Sequence, residues 1–66
     1  MLEIKIPLDP KGAPYVFHCK VSRTPSERLY QVASKDGCFL GKWEAGFEAA
    51  VLSFKDEVIK RWNNNV

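Results

Sequence analysis

The stretch Arg28–Glu44, RLYQVASKDGCFLGKWE, decides how this chain folds. At its middle sits Asp36-Gly37, the dipeptide best suited to a two-residue type I′ turn, because both central residues of that turn need positive φ. With these two as the loop, Lys35 is expected opposite Cys38, Val32 opposite Gly41, and Tyr30 opposite Trp43. Side chains alternate along a strand, so Tyr30, Val32, Phe39 and Trp43 share one face, and Gln31, Ala33, Leu40 and Lys42 share the other. The aromatic face is the one to bury.

Toward the N-terminus, Leu2, Ile4 and Ile6 alternate with Glu3 and Lys5, the period-two pattern of a half-buried strand. Asp9-Pro10-Lys11-Gly12 has Pro second and Gly fourth, as a type I turn prefers, so the chain should reverse there. Tyr15 to Val21 reads as a second strand, with Tyr15, Phe17, Cys19 and Val21 on its apolar face and Val16, His18 and Lys20 on the other. Ser22 to Glu27 is polar, contains Thr24-Pro25, and reads as a loop.

Toward the C-terminus the period changes. From about Gly46 to Trp62, residues Phe47, Ala50, Val51, Phe54, Val58 and Trp62 recur at helical spacing and form one apolar stripe. Asp56 with Lys60, and Glu57 with Arg61, are acid-before-base pairs four residues apart that suit a solvent-facing helical surface. Residues 63–66, opening on Asn63-Asn64-Asn65, should fray. The expected fold is therefore α+β: a three- to four-stranded antiparallel meander over residues 1–44, packed against one C-terminal helix over 46–62 (β-β-β-β-α). Sixty-six residues leave room for one core, so the chain reads as a single small domain, 1–66. Leu52 and Ile59, seven apart, widen the apolar arc of the helix. We expect the sheet to curl over them; the alternative is an exposed strip that binds a second copy or another protein.

Composition excludes several classes of function. With 45% hydrophobic and 12% aromatic residues the chain is not a disordered segment. A net charge of +2 is too small to announce a nucleic-acid or membrane-surface protein by charge alone. Met1 to Gly12 lacks the apolar run of a signal peptide or membrane span, which points to a cytoplasmic protein with no membrane partner. Cys19 and Cys38 belong to no C-x-x-C pair and read as free, buried thiols. Together with His18 they would supply three zinc ligands where a structural site wants four, so neither metal nor cofactor is expected.

Catalytic constellations are equally missing from the pattern. His18 stands on the open strand face with no nucleophile motif beside it. The glycines at 12, 37, 41 and 46 form no phosphate-cradling loop, and Glu44, Glu48, Asp56 and Glu57 are scattered rather than paired. A non-enzymatic binding protein with no small-molecule substrate is the resulting expectation. Its candidate surface is the sheet face turned from the helix, carrying Lys5, His18, Lys20, Gln31 and Lys42, with Arg28 and Lys35 at strand ends and Glu3 as its one acid. Long basic and amide side chains on such a β-ribbon can meet phosphates and base edges in a major groove. Lysines on an exposed sheet also serve solubility and discourage edge pairing.

The segment Leu40-Gly41-Lys42-Trp43-Glu44-Ala45-Gly46-Phe47-Glu48-Ala49-Ala50 resembles one found in AP2-type DNA-binding domains and in the arm-binding domains of phage integrases. There a Leu-Gly-x-Phe-Asp turn leads into a Glu-Ala-Ala helix start. The resemblance, which spans residues 28–54 with the preceding hairpin, implies three antiparallel strands on one helix, with the strands in the DNA major groove. It implies that Gly41 lets the strand approach the helix, that Trp43 fills the core, and that Lys20, Arg28, Gln31, Lys35 and Lys42 face double-stranded DNA. It also suggests an accessory protein of a phage or mobile element. A similar strand-strand-helix order in the antitoxin-like HicB family implies the alternative, a protein-interaction or inhibitor module acting through an edge strand or through Leu52 and Ile59.

Overall fold

In the computed structural model, which describes residues 2–7 and 14–64, the chain is α+β: strands β1 (Leu2–Ile6), β2 (Tyr15–Arg23) and β3 (Tyr30–Ser34), then one helix, α1 (Phe47–Asn64). The turn expected at Asp9–Gly12 lies outside the described residues. The sheet is antiparallel in the order β1-β2-β3. Its register runs from Leu2 opposite Cys19 to Ile6 opposite Tyr15, and from Cys19 opposite Ser34 to Arg23 opposite Tyr30. The long middle strand is thus shared in halves, β1 covering residues 15–19 and β3 covering 19–23, with Cys19 paired to both.

Alternation does the sorting. Ile4, Ile6, Phe17, Cys19 and Val32 point inward and are buried with Ala50, Phe54 and Val58 of the helix, while Leu2, Tyr30, Phe39 and Val51 pack around them. Phe17 sits at the centre, edge-on to Phe54 (5.7 Å between centroids) and to Phe39 (5.5 Å), the T-shaped arrangement that suits ring quadrupoles. Tyr15 and Val21, at the two ends of the apolar face of β2, are exposed instead.

The fourth strand does not form. Residues 38–44 run beside β3 but make only isolated bridges, Ala33 with Leu40 and Tyr30 with Glu44. Near the turn the pairing follows the expected register: the Gly41 N–H donates to the Val32 carbonyl (2.9 Å). Two residues further along β3, Tyr30 exchanges both backbone hydrogen bonds with Glu44, not Trp43 (2.7 and 2.8 Å). Three residues on one side thus match two on the other, as in a bulge, and because side-chain direction has a period of two the extra residue reverses everything after it. Trp43 consequently leaves the core and stands 43% exposed.

The turn also differs from expectation. Among the described residues the positive-φ positions are Arg28 (56°) and Gly37 (78°), so Asp36 lacks the conformation that a type I′ turn demands. The Gly37 N–H donates to the Ser34 carbonyl, closing a turn over Ser34–Gly37. Side chains decide this: the buried Ser34 hydroxyl donates to Asp36 Oδ1 (2.6 Å), which also accepts from the Cys38 N–H (3.1 Å), and the Phe39 N–H donates to Ser34 Oγ (3.0 Å). An Asp side chain that bonds the backbone two residues on holds a turn of its own.

Gly41 is buried because the chain crosses the helix there. A Cβ on it would stand 3.0 Å from the backbone nitrogen of Phe54 and 3.1 Å from the Val32 carbonyl oxygen. The helix opens at Gly46, whose carbonyl accepts from the Ala50 N–H, and includes Asn63 and Asn64, two residues beyond the expected end at Trp62. Neither expected ion pair along the helix comes within 4 Å; among the described residues that distance is met only by Glu3 and His18. Arg61 reaches instead across to the hairpin, where its guanidinium lies over the Phe39 ring (4.8 Å) and donates to the Cys38 carbonyl.

Candidate functional surfaces

Directly opposed residues of an antiparallel sheet share a face, so the register composes the open side: Glu3 beside His18, Lys5 beside Val16, Lys20 beside Ala33, and Ser22 beside Gln31. Glu3 is the one acid in this set, and it lies 3.7 Å from His18 Nδ1. Lys5 and Lys20 are exposed and, among the described residues, make no ion pair. The Gln31 amide donates to the Gly41 carbonyl (3.0 Å), which keeps the side chain half-buried along the sheet. Lys35 is carried to the same sheet by its N–H, which donates to the His18 carbonyl (2.7 Å).

Two of the five candidate nucleic-acid residues lie elsewhere. Arg28 occupies the bend before β3, its N–H donating to the Thr24 carbonyl (3.1 Å), at the end of the strand away from Lys35. Lys42 is fastened to the helix, its N–H donating to Ser53 Oγ (2.8 Å), and lines a shallow groove with Glu44, Leu52, Asp56, Glu57 and Lys60. The bulge that expels Trp43 thus separates Lys42 from Lys20. The structure therefore gathers Lys20, Gln31 and Lys35 on or beside one face, adds Lys5 and His18, and sets Arg28 and Lys42 apart.

The helix presents a second surface. Successive helical residues are rotated by about 100°, so Leu52 points roughly 200° away from Phe54, to the side opposite the core. No curl of the sheet can reach it. Leu52 is 60% exposed and Ile59 40% exposed, which corrects the expectation that the sheet covers them.

A third feature could not be read from the sequence. Tyr15, Phe17, Phe39 and Trp62 meet in a cleft of about 180 Å³ between the start of β2, the hairpin and the last turns of the helix. Next to it Tyr15 and Phe39 continue into a groove that also holds His18, Lys35 and Asp36. The four aromatic residues come from three separate segments, and no local pattern announces their meeting.

The thiols differ from each other. Cys19 is buried in the core, and burial pushes its thiol above the ordinary value, whereas Cys38 is exposed at the hairpin and not buried as expected. The hydrogen bond from Ser34, then that from the Cys38 N–H, holds the Asp36 carboxyl below its ordinary value, so it is ionised at neutral pH. The described residues contain no cluster of three metal-ligating side chains, and no helix long and apolar enough to cross a membrane. No family profile matches the chain, and comparisons with curated proteins and with solved structures find no match either.

Proposed function

We propose that this chain is a small non-enzymatic protein that binds double-stranded DNA through the open face of its sheet. The observation that carries the proposal is the register, which sets Lys5, His18, Lys20, Ser22 and Gln31 side by side on the face the helix leaves uncovered. Among the described residues the one acid there, Glu3, lies 3.7 Å from His18 Nδ1. Lys35 extends the cationic face at one end, while Arg28 stands apart in the bend before β3. A sheet of this width fits a major groove, where lysines contact phosphates and the His18 ring faces the base edges. The resemblance of residues 28–54 to AP2-type and integrase arm-binding domains supports the same docking. Lys42, held in the helix groove, contributes less.

The test is a titration against random-sequence duplex at low and then physiological salt. Three cations, Lys5, Lys20 and Lys35, give a slope of log K against log salt of about −3. Lys20→Glu combined with Lys35→Glu should abolish binding while the circular dichroism spectrum stays native, and unchanged binding would sink the proposal. The exposure of Leu52 and Ile59 supports a second reading, a protein-interaction module. Under it, Leu52→Asp removes a complex that salt scarcely weakens, and Lys20→Glu leaves that complex intact.

A further inference from the structure

The aromatic cleft at the foot of the sheet has no part in packing duplex DNA against the open face, yet it is built from large side chains left in water. Tyr15 is 59% exposed and Trp62 46% exposed. Their neighbours are fixed: Phe17 is buried, with its ring 4.7 Å from that of Tyr15, and Phe39 is held between Phe17 and the guanidinium of Arg61. The cleft thus has a rigid aromatic floor and two exposed aromatic walls. Two cations stand around it, Arg61 over Phe39 and Lys35 in the groove that continues from Tyr15 past His18; Asp36 is the acid of that groove.

A planar apolar body with negative charge attached to it is the occupant such a rim selects. We infer that the cleft takes an unpaired nucleobase, stacked between Tyr15 and Trp62, with its flanking phosphate toward Lys35 and Arg61. Every base has a π-face, so stacking of this kind is tolerant of sequence and accompanies a cationic track along the backbone. The inference rests on the DNA reading of the adjoining face: His18 and Lys35 belong to both surfaces, so a strand end or a frayed base of a duplex on the sheet falls beside the cleft.

The experiment uses the full chain carrying Trp43→Phe, which silences the other tryptophan, 43% exposed and outside the cleft, so that fluorescence reports Trp62. Single-stranded oligothymidine and a blunt duplex of the same length are titrated in parallel at two salt concentrations. Saturable, salt-sensitive quenching by the single strand, weakened about tenfold by Tyr15→Ala with the fold retained, is the expected result. Absence of quenching by the single strand while the duplex still binds overturns this inference and leaves the duplex reading standing. Binding of neither overturns both. Equal, salt-insensitive quenching by an uncharged aromatic amide also overturns it, because the cleft would then be selecting an apolar side chain and not a nucleotide.

Discussion

Replacing Gly41 by alanine measures the closest approach between the hairpin and the helix. The new Cβ would lie 3.0 Å from the nitrogen and 3.1 Å from the Cα of Phe54, and 3.1 Å from the Val32 carbonyl oxygen. All three are backbone atoms, so no side chain can swing away, and relief requires the 40–44 segment to move off the helix. Overpacking of this kind costs about 1–3 kcal/mol. The lost freedom of glycine in the unfolded chain offsets roughly 0.4–1 kcal/mol, since Gly41 is not among the positive-φ residues. The net loss of about 1–2 kcal/mol is a large share of the roughly 3–10 kcal/mol available to a chain of this length. Urea unfolding followed by circular dichroism should show it, as should a fall in Tm of roughly 5–15 °C. Gly46, where a Cβ would meet nothing within 4 Å, is the control: at this helix start serine should be neutral or slightly stabilising. A Gly41→Ala protein as stable as the parent would refute the close crossing, and with it the placement of the whole 40–44 segment.

Other expectations follow from burial and hydrogen bonding. Phe54→Ala, at the wholly buried centre of the helix, should cost about 3–5 kcal/mol, enough to unfold much of the protein, whereas Trp43→Ala should cost under about 1 kcal/mol; equal losses in urea melts would contradict the bulge. A thiol reagent at neutral pH should modify Cys38 at once and Cys19 only as the protein unfolds, so two equally fast thiols would place Cys19 outside the core. Asp36 has a folded value below its ordinary 3.8, so its stabilising effect is present above that pH and is lost as the pH falls through the folded value. Asp36→Asn should therefore be less stable than the parent at pH 7, with the difference closing below pH 3.8; a gap that persists in stronger acid would assign the effect to something other than the carboxylate.

Much of the fold was legible locally. The alternation of Leu2–Ile6 and of Tyr15–Val21 and the helical recurrence of Ala50, Phe54 and Val58 each report which side of one element is apolar, and that property belongs to a few neighbouring residues. The same alternation put Lys5, His18, Lys20 and Gln31 on the open face without reference to any other element. The loop was less legible because Asp36 had two ways to turn the chain. Positive φ at Asp36 was the one that the dipeptide favours; a carboxylate bonded to Ser34 and Cys38 was the one adopted.

What the sequence by itself determined, then, was the order and type of the three strands and the helix and the two faces of each of those strands, because these follow from periods of two and 3.6 within short windows. Tertiary structure alone decided the rest. A hairpin count cannot anticipate one extra residue between Gly41 and Glu44, since the bulge arises where the chain must cross the helix at Phe54, and it is this residue that turns Trp43 into water and carries Lys42 away from Lys20. Exposure of Leu52 depends on the described residues placing no second layer beyond the helix. The cleft of Tyr15, Phe39 and Trp62 exists because three distant segments end at the same corner of the sheet.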